Sequence, residues 1–391
     1  MTPEPHELQE LVRDLHRQGD AWLPAGLGSR IDWGPPVAQP HTVLSCARLN
    51  RILEHNPGDF TITVEAGTPL VVVQEALAHH GQWLPLDWPW GSDASGAGSG
   101  SIGGLLARGL ARGYRHRYLG VRDQLIGIEL VRSDGVRARA GGKVVKNVAG
   151  YDLMRLLCGS WGSLALITAA TLRTQPIPPQ RRGLRLAGAL EPLATFCRWL
   201  LDSSLTPERV DWQRRGGGTS LVVSLASISA QTLDEQLACI REKAPGLELR
   251  TLEPEELATA TALPTAVPTA AGRGDPSTPG WLLRLGVKPD QTAGMLADPA
   301  LDGLDLELGA GSGLGCGWAG AQAVPAYRIE ALRQLCRARS GYLTVLQQPS
   351  GSTLPAWLDA PSRPMIEAIK RQFDPKQQLA RGRLPGVAPR H

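Results

Sequence analysis

The sequence predicts an α+β protein with two domains and a C-terminal segment. Three observations support this fold class. Helical and strand-like periodicities interleave along the chain, a proline-rich stretch at 175–179 interrupts them, and 391 residues exceed the length of a typical single domain. An apolar share of 42% is enough to form sizeable cores. We predict domains at 1–178 and 183–350, followed by a segment at 355–391.

Residue patterns in the first domain favour alternating helices and strands. Apolar residues recur at helical spacing at 5–19, and apolar and polar residues alternate at 61–66 as they do in a strand. Pro69 then begins a helix that Gly81 ends. The other elements predicted in this domain are a hairpin at 125–140, a short helix at 151–157 and a strand at 164–173.

The second domain mixes helices with short strands. The predicted helices are 192–201, 232–243 and 325–339, and the predicted strands are 221–225, 281–285 and 342–346. Residues 257–279 consist largely of Ala, Thr, Pro and Gly, which predicts a flexible insertion. A last helix is predicted at 363–373.

Charge and cysteine content argue against several classes of function. The net charge of +4 comes from scattered residues without a long basic run, so no nucleic-acid partner is expected. The six cysteines lie far apart and form no C-x-x-C pair, so this chain alone is expected to hold neither a zinc ion nor an iron–sulfur cluster. The sequence has no signal-peptide pattern and no apolar run of membrane-spanning length. We therefore expect a cytoplasmic protein that reaches a membrane only through partners.

Three glycine-bearing segments follow one another within the first domain: 24–29 (PAGLGS), 98–104 (GSGSIGG) and 146–152 (KNVAGYD). Glycine lets the backbone approach a ligand closely, and exposed N–H groups can then hold an anion. One such loop is weak evidence, because turns use glycine freely. Three in order favour a dinucleotide diphosphate as the ligand.

The order of motifs makes a resemblance specific. The motifs PAGLGS, TVEAGTPL, LPLDWPWG, GSIGGLLA, YLGVRDQLIGIELV and GGKVVKNVAGYDLMRLLCGSWGSLALIT are similar to the FAD-binding domain of the vanillyl-alcohol-oxidase/PCMH-type flavoproteins. Within that superfamily the chain resembles the FAD-binding (E) subunits of glycolate oxidase/dehydrogenase. The tail at 369–383 (IKRQFDPKQQLARGR) also resembles the family terminus, although Ala380 and Arg381 replace the usual Asn-Pro.

This resemblance implies an FAD-binding domain of two α+β subdomains, an α+β cap domain, and a C-terminal segment that packs back on the FAD domain. It also implies the cofactor-contacting positions, with the first glycine loop around the diphosphate and Ile167 at the adenine end. The positions carried over are Ala25, Gly26, Leu27, Gly28, Ser29, Gly100, Ser101, Ile102, Gly103, Gly104, Lys146, Gly150, Tyr151 and Ile167. Lys146 is either a solvated loop residue or a cation near the flavin or the substrate.

Two departures from relatives bear on chemistry. Some relatives attach FAD covalently through a histidine near the first glycine loop, but Arg30 follows that loop here and His41 is the nearest histidine, so non-covalent FAD is expected. No histidine lies between 117 and 390. We therefore expect no histidine base or metal site in the second domain. The hydroxy-acid site would then lie on another subunit, or this chain would use Lys or Arg instead.

The function implied by the resemblance is oxidation of a small 2-hydroxy acid such as glycolate. The implied partners are a second FAD-binding hydroxy-acid dehydrogenase subunit and an iron–sulfur subunit. The alternatives are an assembly subunit that keeps the fold without catalysis, and a stand-alone FAD-dependent dehydrogenase of another small substrate. A Rossmann reading of Gly315-Cys-Gly-Trp-Ala-Gly320 is disfavoured, because no acidic residue closes a strand about 20 residues later.

Overall fold

The computed structural model describes residues 1–87, 100–143, 152–261 and 280–388. The chain forms two compact units. The first comprises Met1–Leu110, Gly120–Ile177 and Pro355–His391, and the second comprises Ala111–Leu119 and Pro178–Leu354. The segment Ala111–Leu119 lies inside the predicted range 1–178, yet it belongs to the second unit.

Helices and strands interleave throughout the described residues, as expected for an α+β protein. The helices are Leu8–Gln18 (α1), Leu70–Ala78 (α2), Ile102–Arg108 (α3), Arg115–Tyr118 (α4), Val121–Gln124 (α5), Leu153–Leu157 (α6), Leu190–Asp202 (α7), Ala230–Lys243 (α8), Pro254–Thr261 (α9), Thr292–Leu296 (α10), Ala326–Ala338 (α11) and Arg363–Phe373 (α12). The strands are Trp22–Ala25 (β1), Thr42–Ser45 (β2), Ile52–Asn56 (β3), Thr61–Glu65 (β4), Gln82–Trp83 (β5), Leu125–Val131 (β6), Arg137–Gly141 (β7), Leu166–Arg173 (β8), Gln175–Pro176 (β9), Gln180–Ala187 (β10), Pro207–Arg215 (β11), Gly218–Ser227 (β12), Glu248–Leu252 (β13), Trp281–Gly286 (β14), Asp305–Gly309 (β15), Leu314–Ala319 (β16) and Tyr342–Gln347 (β17).

The first unit is organised around a five-stranded antiparallel sheet in the order β3-β4-β8-β6-β7. Strand β4 places Ile62 and Val64 in the core, and both side chains are fully buried. Helix α2 packs into the same core through Leu70 and Leu77, which lie seven residues apart and so share one helix face. A separate parallel pair, β1 and β2, begins the unit.

The C-terminal tail, defined here as residues 374–388, is fixed in the first unit by a buried lysine. Lys370 Nζ donates to Asp374 Oδ2 at 2.5 Å, to Ser163 O at 2.7 Å and to Leu379 O at 2.9 Å. Its three donors are thus all used, and Asp374 is fully buried. The tail also adds to strand β1, because the backbone of Trp22 exchanges hydrogen bonds with the tail on both sides.

The second unit is built on one antiparallel sheet of eight strands in the order β13-β10-β12-β11-β15-β16-β14-β17. Helices α7, α8 and α11 contribute their apolar residues to the core on one face of this sheet. The predicted insertion at 257–279 is helical over its first five residues, since α9 ends at Thr261. Residues 262–279 lie outside the described residues.

The glycine motif at 315–320 is not a dinucleotide-binding loop. Gly315 and Gly317 lie within strand β16, which pairs antiparallel with both β15 and β14. A Rossmann fingerprint instead requires a loop between a parallel strand and a helix. The structure thus agrees with the sequence argument against that reading.

We expect the substitution Lys370→Met to lower the free energy of unfolding by about 3–5 kcal/mol, because it leaves the buried Asp374 carboxylate without its cation. Chemical denaturation of the full chain would measure this loss. The matched control is Arg371→Met at the next, exposed position, which should change stability by less than about 0.5 kcal/mol. Equal effects of the two substitutions would contradict a stabilising role for the buried pair.

Candidate FAD-binding site

Two of the three predicted glycine segments meet in one cavity of the first unit. The cavity is partly open to solvent. Segments 23–31 and 100–108 supply most of the lining, and the turn before strand β8 supplies Trp161 and Gly162. Its walls combine backbone amides, apolar side chains and a few charged groups, which is the usual composition of a cofactor pocket.

The first glycine loop is positioned by the parallel pair β1 and β2. Ala25 ends β1, and its carbonyl oxygen accepts a hydrogen bond from Cys46 N at 2.7 Å. The hydroxyl of Ser45, the last residue of β2, donates to Gly26 O at 3.1 Å. These bonds fix the point at which the chain leaves the strand and enters the cavity lining.

The second glycine segment begins helix α3. Ser101 is its N-cap, and the hydroxyl oxygen accepts a hydrogen bond from Gly104 N at 3.3 Å. Gly103 N donates to Ala66 O at 2.7 Å, which fixes the segment to the end of strand β4. The loop and the helix start are therefore held before any ligand binds.

Two glycines are required by close packing inside this site. A Cβ atom on Gly26 would lie 1.9 Å from Ser101 Oγ, and one on Gly103 would lie 2.8 Å from Ala66 Cβ. Neither position can carry a side chain without moving a neighbouring segment. Gly26 and Ser101 belong to the two different glycine loops, so the spacing between these loops depends on the absence of a side chain at Gly26.

Three arginines bring positive charge to the cavity lining. Arg30 follows the first glycine loop, Arg108 ends helix α3, and Arg383 comes from the C-terminal tail. Burial, and then the charges of Arg383 and Arg30, lower the pKa of Arg108 to about 9. Burial likewise lowers the pKa of Arg30 to about 10, and of Arg383 to about 10 although Asp32 opposes that shift. Each shift means that the folded chain destabilises the bare charge, which an anionic ligand would offset.

Comparison with known proteins gives the same assignment as the motifs. Residues 3–141 match the model of a family described as an FAD binding domain. The chain carries an FAD-binding domain of the PCMH type. Its cofactor is FAD, and the glycine loops, apolar walls and arginines fit a dinucleotide. The predictions of the fold class and of the cofactor are confirmed.

Part of this chain is similar to parts of several known proteins. Glycolate oxidase subunit GlcE of Escherichia coli (strain K12) is 37% identical over 179 residues, which are 45% of this chain and 49% of that subunit. D-2-hydroxyglutarate dehydrogenase of Xanthomonas citri pv. viticola is 38% identical over 175 residues, which are 44% of this chain and 36% of that enzyme. Glycolate oxidase subunit GlcD of Bacillus subtilis (strain 168) is 34% identical over 163 residues, which are 41% and 33% of the two chains. The chain thus aligns with between a third and a half of the length of these relatives.

Solved structures extend the likeness over nearly the whole chain. Alkyldihydroxyacetonephosphate synthase superposes with a TM-score of 0.67, covering 97% of this chain and 75% of that chain. Sequence identity between the two is 12%, so this likeness concerns the fold alone.

Most of the predicted FAD-contacting residues line the cavity. They are Ala25, Gly26, Leu27, Gly28, Ser29, Gly100, Ser101, Gly103, Gly104 and Ile167. Ile102 is not among the lining residues: its side chain is fully buried in the apolar core of the first unit. Lys146, Gly150 and Tyr151 lie outside the described residues. Contact of each of these positions with FAD stays a prediction.

Sequence analysis did not identify Arg108 and Arg383 as cavity residues, and it used Arg30 only in the argument for non-covalent FAD. Arg30 was taken as a departure from relatives, whereas its guanidinium lies beside the second glycine loop, 2.8 Å from a Cβ position on Gly100. Arg108 follows the loop by only a few residues and carries no motif of its own. Arg383 lies in the tail motif, which was a signal that the C-terminus belongs to the FAD domain.

The second unit holds a buried polar cluster on strands β11 and β15. Val210 and Trp212 of β11 enter the apolar core, so the alternate residues Arg209, Asp211 and Gln213 lie on the opposite face of the sheet. All three are nevertheless buried. A charged face that is shielded from water needs internal partners or a ligand.

Glu307 of β15 is the centre of this cluster. Three guanidinium groups contact its carboxylate: Arg112, Arg209 at 3.3 Å and Arg215 at 3.4 Å. Arg209 also pairs with Asp211 at 2.8 Å. Burial raises the pKa of Glu307, even though the guanidinium of Arg112 and its neighbours lower it. Three guanidinium groups thus surround the Glu307 carboxylate, and one of them also pairs with Asp211.

The second unit holds a histidine that lies outside the predicted second domain, 183–350. His116 belongs to the segment Ala111–Leu119, which is part of the second unit. Its Nδ1 lies 2.8 Å from a Cβ position on Gly311 in the turn between β15 and β16. Burial lowers the pKa of His116; the carboxylate of Asp211 opposes this shift and the charge of Arg117 adds to it. No pattern in residues 111–119 of the sequence indicates that they belong to the second unit.

Among the described residues, no group of three or more His, Cys, Asp or Glu side chains is arranged to hold a metal ion. None of the helices in the described ranges is both long enough and apolar enough to cross a bilayer.

We expect the substitution Gly26→Ala to weaken FAD binding by roughly tenfold or more. Overpacking against Ser101 costs about 1–3 kcal/mol, and 1.4 kcal/mol corresponds to a factor of ten. The measurement is the ratio of flavin to protein after purification, followed by titration of the flavin-free chain with FAD. Gly58→Ala is the control, because its Cβ would meet no atom within 4 Å. Normal flavin content in the Gly26 variant would argue against this cavity as the site.

Proposed function

We propose that this chain is the FAD-binding subunit of a glycolate oxidase/dehydrogenase-type complex that oxidises a small 2-hydroxy acid and passes the electrons to partner subunits. One observation carries the proposal: the two glycine loops form one cavity in a chain that is 37% identical to glycolate oxidase subunit GlcE over 179 residues. Bound FAD supplies the acceptor for the two electrons of the oxidation. The residues of this chain bind and orient the reacting groups.

The names of the relatives support the substrate class. They act on glycolate, D-2-hydroxyglutarate or D-lactate, according to their names, and each of these is a 2-hydroxy acid. A 2-hydroxy acid carries a carboxylate, for which arginine is the most suitable binding residue. The polar cluster of the second unit offers such a residue in Arg215.

Arg215 is arranged as a carboxylate-binding residue would be. Its guanidinium stacks on the ring of Trp318 at 3.9 Å, which orients it. Its Nη1 is buried and makes no hydrogen bond within the described residues, while its contact with Glu307 is long at 3.4 Å. Burial lowers the pKa of Arg215, the carboxylates of Glu307 and Asp305 oppose that shift, and the charges of Arg112 and Arg185 add to it. A monoanionic substrate would supply both the missing hydrogen bond and the missing charge.

His116 is the residue of the second unit best suited to accept the proton of the substrate hydroxyl. Its lowered pKa keeps the imidazole neutral at physiological pH, and a neutral imidazole has a nitrogen that can take up a proton. This assignment favours the alternative in which the chain carries its own substrate-binding groups over the one in which they lie only on another subunit.

We propose that FAD is bound without a covalent link. No histidine occurs among the described residues that line the cavity, and the lining thiol is that of Cys46. Burial raises the pKa of Cys46 to about 12, so the thiol stays protonated and a poor nucleophile. Precipitation of the purified chain with acid should leave all the flavin in the supernatant. Flavin that stays with the polypeptide would overturn this part of the proposal.

The partners would be a second FAD-binding hydroxy-acid dehydrogenase subunit and an iron–sulfur subunit. Two of the relatives are themselves named as subunits of glycolate oxidase, GlcE and GlcD. The cysteines of this chain are scattered, so electrons that leave the flavin would need an iron–sulfur cluster supplied by another chain. The complex would be cytoplasmic and would reach a membrane only through those partners.

The proposal is tested by the visible absorbance spectrum of the purified chain, alone and with its partners. We expect a bound-flavin spectrum in both cases and bleaching when glycolate is added anaerobically to the complex. Bleaching of the isolated chain would favour a stand-alone dehydrogenase. A colourless chain that takes up no FAD, alone or in the complex, would overturn the proposal in favour of an assembly subunit.

The substitution Arg215→Gln should raise KM for the 2-hydroxy acid by roughly tenfold or more, since a hydrogen bond to a charged group contributes about 1.5–3 kcal/mol. Flavin content should not change, because Arg215 lies outside the FAD cavity. Initial rates of the complex over a range of glycolate concentrations provide the measurement. Arg198→Gln, on an exposed part of helix α7, is the control of equal charge change. An unaltered KM would remove Arg215 from the substrate site.

A further inference from the structure

The FAD cavity concentrates positive charge to an unusual degree. Arg30, Arg108 and Arg383 come from three separate segments of the first unit and line the same cavity. No Asp or Glu occurs among the described residues of that lining. Glycine loops alone would offer a ligand only the partial charges of N–H groups, whereas three guanidinium groups offer formal charge.

The three side chains are held in place by the protein. Arg108 Nη2 donates to Arg30 O at 2.7 Å, and its guanidinium carbon lies 3.9 Å from the centre of the Trp161 ring. Arg383 Nε donates to Pro35 O at 2.7 Å. These acceptors are backbone carbonyls and an aromatic face, which orient a guanidinium. The cavity is therefore preorganised for an anion.

The charge of the Arg108 side chain is destabilised by its surroundings in a way that an anion would reverse. Burial lowers the pKa of Arg108 most, and the positive charges of Arg383 and Arg30 lower it further. Arg30 and Arg383 experience the same burial. A group with two or more negative charges at the centre of the three would stabilise all of them at once.

We propose that Arg30, Arg108 and Arg383 together form the diphosphate-binding site of the cofactor and provide most of the affinity for FAD. The flavin-free chain is then a binding site for inorganic pyrophosphate and for ADP, and it does not bind adenosine or riboflavin at comparable concentrations. FAD binding weakens as ionic strength rises, because salt screens the attraction between the guanidinium groups and the diphosphate. This inference rests on the proposed function only in taking FAD as the ligand.

The experiment is isothermal titration of the flavin-free full chain with inorganic pyrophosphate, ADP and adenosine, followed by FAD. We expect pyrophosphate to bind and to compete with FAD, and adenosine not to bind. Each of Arg30→Gln, Arg108→Gln and Arg383→Gln should weaken pyrophosphate and FAD at least about tenfold. Arg137→Gln on the exposed strand β7 changes the charge equally and should leave both affinities unchanged.

Arg30→Gln and Arg108→Gln are less prone to a folding defect than Arg383→Gln, because Arg30 and Arg108 are only partly buried whereas Arg383 is buried. Unfolding midpoints of all variants, and rescue by Arg108→Lys, separate a loss of charge from a loss of fold. Tight FAD binding by the three glutamine variants, or a wild-type chain that binds FAD but not pyrophosphate, overturns the arginine assignment alone. A wild-type chain that binds neither overturns the proposed function as well.

Discussion

The first unit depends on one constraint, the presence of three guanidinium charges around a single partly enclosed cavity. Desolvating a charge is unfavourable unless an opposite charge or strong hydrogen bonds offset it. Here the protein supplies carbonyl groups and the ring of Trp161 but no lining carboxylate among the described residues. An anion bound in this cavity would offset the desolvation of these guanidinium groups. By linkage, a bound dianion adds to the stability of the folded chain.

This constraint explains why the two ends of the chain are packed together. Arg383 reaches the cavity only because the tail is fixed to strand β1 and to helix α12. The buried pair Lys370 and Asp374 provides that attachment, and one of its hydrogen bonds goes to Ser163, in the turn that carries Trp161. The same lysine therefore positions the residue that supplies charge and the residue that orients Arg108. Loss of the pair should affect the cofactor site as well as stability.

The sequence predicted local elements well and long-range placement poorly. Helix α12, the β6–β7 hairpin and the two glycine loops follow from periodicity and turn residues, which are local signals. Strand β11 was not predicted, because its pattern of alternating charged and apolar residues resembles that of an exposed strand, and burial of both faces depends on the rest of the sheet. His116 lies outside the predicted second domain and yet belongs to the second unit. No pattern in 111–119 shows that this segment leaves the first unit.

The two charged sites of the molecule differ in how many carboxylates accompany their guanidinium groups. That difference matches the ligands proposed for the two sites. In the second unit, the carboxylates of Glu307 and Asp211 pair with the guanidinium groups around them, and Nη1 of Arg215 has no hydrogen-bond partner among the described residues, which suits the proposed carboxylate substrate. In the first unit the described cavity lining contains three guanidinium groups and no carboxylate, which leaves enough charge for a diphosphate. A site whose own charges are nearly balanced binds a monoanion and releases it readily, as turnover requires. A site with a larger excess retains a dianion through many turnovers, which is what a resident cofactor needs.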